Sequence, residues 1–270
     1  MMKLAALLPV ALTLGTAQQI EEARRFSLPN GLEEISGLAI ASERSVFAHN
    51  DEHAIVYEIE LERGRILRAF ALGDPTLEGD FEGIARVGSR VFLITSDGLI
   101  YAANIGRHRQ RVPYTVHDSG VGPHCEIEGL SASPQPGELL ILCKRGRRGG
   151  MQTDARRLTV YRWSIDSEHA LETPFLSLAL SGFLTKEERP DFRPSGIDWD
   201  PNSGAIYIVS GRNRLMLTFD RRGTLLEKRR LTPRQHPMTE GIAMLGGRWI
   251  ALADEGTATR RGRLTVYPAR

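Results

Sequence analysis

Three glutamates recur in one local setting. Glu82 stands in Asp80-Phe81-Glu82-Gly83-Ile84, Glu128 in Glu126-Ile127-Glu128-Gly129-Leu130 and Glu240 in Met238-Thr239-Glu240-Gly241-Ile242. Two further segments keep the frame with serine, Glu34-Ile35-Ser36-Gly37-Leu38 and Arg193-Pro194-Ser195-Gly196-Ile197. Packing explains the glycine and the Leu or Ile of this frame; it does not explain a carboxylate, which is costly in a crowded interior unless it is paired, hydrated or bound to a cation. Oxygen donors of this kind suit a hard cation, calcium first, and make Glu34, Glu82, Glu128 and Glu240 the expected metal ligands. Glu34 and Glu126 lie two residues ahead of the Ser or Glu of the frame, and alternation puts residues two apart on one face of a strand.

The spacing of the frame identifies the elements that carry it. Its glycines fall at positions 37, 83, 129, 196 and 241, with separations of 46, 46, 67 and 45. A period near 45 means propeller blades or helical repeats. Each frame is followed by a short apolar run such as Val91-Phe92-Leu93-Ile94, a turn, and an alternating run such as Ile55-Val56-Tyr57-Glu58-Ile59-Glu60. A fourth run follows, for example Arg111-Val112-Pro113-Tyr114-Thr115-Val116. Short β-branched or aromatic runs bounded by turn residues are strands, and four per repeat make a blade. The fifth repeat runs out of chain after three strands, at 263–267, and the segment 23–28 can supply its fourth. The fold expected is therefore all-β: a five-bladed β-propeller with four-stranded blades, closed three-plus-one by its two terminal strands, which removes the open sheet edges. The long third interval accommodates insertions at 145–157 and 181–192, with one helical turn over 185–189.

In such a blade the start of the inner strand shares a face with the turn joining the second and third strands. That face gathers Asp51, His53, Asp97, His124, Arg193, Asn213, His236 and Asp254 as candidate ligand-binding residues. A bound cation there would also suit metal-assisted hydrolysis of a phosphoester, ester or lactone, with a carboxylate or His moving protons. No His-Glu-x-x-His helix, Gly-x-Ser-x-Gly elbow or phosphate-binding glycine loop is present in the sequence. Cys125 and Cys143 fall at the same end of one hairpin, where a disulfide or a free thiol pair can stand.

The 270 residues carry 35 Lys and Arg against 33 Asp and Glu, which gives no electrostatic case for nucleic acid. Two cysteines exclude a disulfide-dense scaffold and a four-cysteine zinc site. Arginine outnumbers lysine 31 to 4, and the densest basic run, Lys144 to Gly150, reads first as a surface loop. Residues 1–17 have the charged start, apolar centre and small-residue end of a secretory signal, so 18–270 is expected as one exported domain in the bacterial periplasm or medium. No later stretch is apolar enough for a stable membrane span. The partner expected is a small molecule or an envelope protein, and the chain is expected to be a monomer.

The stretches Glu34-Ile35-Ser36-Gly37-Leu38-Ala39, Asp80-Phe81-Glu82-Gly83-Ile84-Ala85 and Thr239-Glu240-Gly241-Ile242-Ala243 resemble the SdiA-regulated, YjiK-like propellers of bacterial envelopes. The frame is also similar to that of phytase-like esterase propellers, which repeat Glu-Gly-Ile or Glu-Gly-Leu. The resemblance covers residues 30–268. It implies an axial calcium or other cation near the frame glutamates and names no reaction. Ser36 and Ser195 depart from a full acidic ring.

Overall fold

The computed structural model describes residues 23–146, 156–257 and 259–268, and these form a five-bladed β-propeller. The inner strands are Ile35–Ser42, Phe81–Val87, Cys125–Ala132, Gly196–Trp199 and Thr239–Leu245, one for each frame. Each blade then runs outward through antiparallel hairpins. The closure follows the expectation: Arg24–Ser27 pairs antiparallel with Arg263–Pro268, Arg24 opposite Val266, as the outermost strand of blade five.

Two departures have local causes. The run at 111–116 divides at Pro113, which has no N–H to give to a ladder. Arg111–Val112 crosses to blade one, pairing parallel with Ile66–Leu72, and Tyr114–Asp118 is the outer strand of blade two. In blade three the outer edge is split into His169–Ala170 and Leu176–Ala179, both on Arg157–Ser164. The segment expected as one helical turn, 185–189, is a single turn closed by the Arg189 N–H donating to the Thr185 carbonyl at 3.3 Å. Thr185 N–H donates to Glu188 Oε2 at 3.0 Å and Glu188 N–H to Thr185 Oγ1 at 3.3 Å, a reciprocal capping pair. The regular 3-10 turn follows it, at Arg189–Asp191 with Pro190 inside it. Of the insertion at 145–157 and the basic run at 144–150, the part at 147–155 lies outside the described residues.

Period-two alternation gives the buried strands of a blade two apolar faces, and each face packs on a different neighbour. Ile141 belongs to the core between blades two and three, while its chain neighbours Leu140 and Leu142 belong to the core between blades three and four. The described residues hold one apolar core at each blade interface, and three of these are anchored by fully buried Trp163 and Phe92, Phe47 and Phe70, and Phe219. Near the axis the blades approach too closely for side chains. A β-carbon on Gly83 would lie 2.4 Å from the backbone nitrogen of Leu130 in the next blade. Cys125 and Cys143 are joined by a disulfide with Cα atoms 5.7 Å apart. The offset between them remains in the ladder, where Cys125 stands opposite Gly146 and Cys143 opposite Ile127, so the disulfide crosses the hairpin diagonally beside its two register shifts.

Candidate functional site

One device aims the frame residues. In four inner strands the ladder slips by one residue at the frame: Ile35 pairs with Asn50 and Gly37 with His49, leaving Ser36 over, and the same slip leaves out Glu82, Glu128 and Glu240. These are β-bulges, which bend the strand and redirect the extra side chain. In blade four Ser195 N–H and the Gly196 pairing both fall on Val209. The redirected residues point into a cavity of about 540 Å³ at the axis. Beneath it a neck of about 10 Å³, one water in size, is lined by the frame glycines.

Among the expected metal ligands, Glu34, Glu82, Glu128 and Glu240 all line this cavity, and so do Asp51 and Arg193. The other six candidates do not. His53 bridges to Glu78, and Asp97 accepts from Thr95 Oγ1 within its own turn. Asn213 binds the Glu188 carbonyl at 3.2 Å, and His124 lies in the turn before Cys125. His236 and Asp254 are buried in blade five, 2.7 Å apart, turned away from the axis. Loop position alone could not separate these groups, because turns use the same Asp, Asn and His for their own hydrogen bonds.

The group that sequence reasoning missed is a cation of the chain itself. Lys144 Nζ contacts Glu128 Oε1 and lies 3.2 Å from Glu126 Oε1. Burial works to lower its pKa, but the hydrogen bond and charge of Glu128, then Glu126, outweigh it and hold the ammonium above its usual range. The available signal was a lysine on the acidic face of a chain with only 4 lysines beside 31 arginines. The two serines serve a different purpose. Ser36 Oγ donates to Glu82 Oε2 at 3.1 Å and Ser195 Oγ to the Thr239 carbonyl at 2.6 Å, so each stitches its blade to the next.

With Glu126 and Glu128 taken up by Lys144, the remaining charges separate by blade. Glu34, Asp51, Glu82, Glu240 and Glu255 come from blades one, two and five; Arg145, Arg193 and Arg212 come from blades three and four. The acids are crowded. Burial first, then the charges of Glu128 and Asp80, raise the Glu82 pKa against the pull of Lys144 and Ser36. Burial, then Glu128, Glu255 and Glu82, raise Glu240 well above an ordinary glutamate. Asp51 is raised by burial and then by the charge of Glu34, and Glu255 by burial and then by Asp51 and Glu34. On the opposite side burial and the charges of Arg145 and Arg212 lower the Arg193 pKa, and its buried Nε has no hydrogen-bond partner. Both halves of the cavity thus carry like charge without enough counter-charge of their own.

No family model matches the chain, and no curated protein matches it in sequence. Solved structures do match in shape. Myxococcus xanthus glutaminyl cyclase aligns with a TM-score of 0.57 and 14% identity, covering 90% of this chain and 95% of that one. A luciferin-regenerating enzyme aligns with a TM-score of 0.53 and 9% identity, covering 91% and 95%. At these identities the likeness establishes the propeller fold. No helix among the described residues is long and apolar enough to cross a membrane.

Proposed function

We propose that the chain is an exported binding propeller whose axial cavity takes a small ligand of divided charge. The cationic end is held by Glu82 and Glu240 and the anionic end by Arg193 and its neighbours. One observation carries this reading: identical bulges deliver carboxylates into one cavity whose opposite wall is arginine. The cationic end is either a metal ion or an organic ammonium. Calcium matches the oxygen donors of Glu82 and Glu240. Among the described residues no three His, Cys, Asp or Glu groups stand together as a ready metal cage, so water would have to complete its shell. The export signal at 1–17 and the likeness to SdiA-regulated envelope propellers support a periplasmic or secreted setting.

The test is thermal stability of chelator-treated protein titrated with calcium, with ω-amino acids of increasing length, and with alkylammonium or carboxylate alone. Calcium or one of the amino acids raises Tm, and Glu82→Gln with Glu240→Gln removes the response. No shift with any of these probes overturns the reading. A second reading, a hydrolase of phosphoesters, esters or lactones, is supported by the raised proton affinity of Glu82 and Glu240, which equips them as general acids. Turnover of aryl phosphates or aryl esters that is lost in the same variants would establish it; no turnover leaves the binding role alone.

A further inference from the structure

A second cavity, of about 470 Å³, opens between blades four and five away from the axis. Its apolar floor includes Met216, Ile250 and Leu252. Its charged wall is Arg25, Arg229 and Arg230, with no carboxylate among the described lining residues. Arg230 is held by Glu188 at 2.8 Å, whereas Arg229 reaches Glu227 only at 3.8 Å. Burial raises the Tyr267 pKa, and the charge of Arg25, which shares the cavity wall with it, works the other way.

The Tyr267 hydroxyl is positioned from behind. Thr239 Oγ1 donates to Asp254 Oδ1 at 3.0 Å, Asp254 Oδ2 lies 2.7 Å from His236 Nδ1, and His236 Nε2 lies 2.6 Å from Tyr267 Oη. An ionised Asp254 only accepts, so Nδ1 carries the imidazole proton and Nε2 accepts the tyrosine proton. The chain of bonds commits that proton inward and leaves the oxygen lone pairs facing Arg25. A purely structural stitch through blade five would need the Thr-Asp-His-Tyr bonds. It would not need arginines gathered over an apolar floor.

We propose that this lateral pocket binds an organic anion, a carboxylate or phosphate head on an apolar body. Arg25 and Arg229 hold the head, since guanidinium groups bind such anions by paired hydrogen bonds. Met216, Ile250 and Leu252 receive the body. The test is calorimetric titration with phenyl phosphate and benzoate, beside inorganic phosphate and neutral benzyl alcohol. Phenyl phosphate or benzoate binds saturably and more tightly than either control. Arg229→Gln and Arg25→Gln each weaken binding by about tenfold, as loss of one charged hydrogen-bonding partner implies, and Glu82→Gln at the axis leaves it unchanged. If Arg25→Gln unsettles the closing strand, Arg229→Gln on the exposed outer strand decides alone. Absence of saturable binding, or wild-type affinity in Arg229→Gln, overturns the proposal. Equal binding of inorganic and phenyl phosphate overturns the apolar half of it.

Discussion

The axial cavity and the lateral pocket are close in size, about 540 and 470 Å³, and opposite in construction. The axial cavity is made by repetition. One bulge, copied from blade to blade, aims its side chain at the same point, so duplicated acids accumulate there. Burial, and then their crowding, raises their pKa values, and one lysine offsets part of the charge. The lateral pocket is made by closure. It needs the first strand, the last strand and the outer strand of blade four, a combination that exists once in the ring. Its hydrogen bonds are satisfied behind the surface and its arginines stand at the rim. Repetition therefore produces electrostatic strain at the axis, whereas closure produces a relaxed, singular site.

The largest effect should come from the disulfide, which ties the Lys144 strand to the inner strand of blade three. Its closed loop spans 18 residues, so reduction should cost about 3 kcal/mol and lower Tm by about 6–12 °C. Calorimetry with and without reductant reads this, and phenyl phosphate binding in the reduced protein should survive below the new Tm. Next comes Lys144→Met, which strands Glu126 and Glu128. With the lysine partly exposed, a loss of about 2 kcal/mol is expected, recovered in part by calcium. Equal Tm values for variant and wild type would contradict the claim that the lysine is the cavity's own counter-ion.

Glu82→Gln and Glu240→Gln should go the other way. A carboxylate whose folded pKa is raised loses stability as pH rises past its unfolded value near 4.5, so at pH 8 each glutamine should raise Tm by about 2–4 °C. The gain should vanish at pH 4, where the glutamates are protonated in either state. Cation binding has the matching sign: it must displace those protons, so affinity should increase with pH across the raised pKa values, seen as proton release in calorimetry. The smallest effect is Tyr267→Phe. It leaves His236 Nε2 without its partner and should cost about 1 kcal/mol, with no change in the response to calcium. A calcium response that weakens in this variant would mean that the two sites are coupled.

Much of the architecture was legible because a propeller is written in its period. Glycines that must let strands approach at the axis recur wherever a blade begins, and the segment before the first frame could supply the fourth strand of the last repeat. The acids at Glu82, Glu128 and Glu240 were legible for the same reason, since duplication keeps equivalent positions in register. Side-chain direction was not. Alternation predicts a side chain's face only while the ladder is unbroken, and four of the five frames hold a bulge. His236 and Asp254 fell in the right loops yet point into blade five, because a half-buried tyrosine and a buried threonine offered them better hydrogen bonds than the axis did.

The sequence by itself thus determined the blade count, the closure and the recurrence of carboxylates at the strand starts, all properties of spacing along one dimension. Tertiary structure decided which groups meet. It set Lys144 against Glu126 and Glu128, Arg193 in one cavity with Glu240, and Arg25 beside Tyr267 from distant parts of the chain. Those meetings depend on register slips and on ring closure, and Coulomb and hydrogen-bond energies depend on separations of a few ångströms that no periodicity encodes.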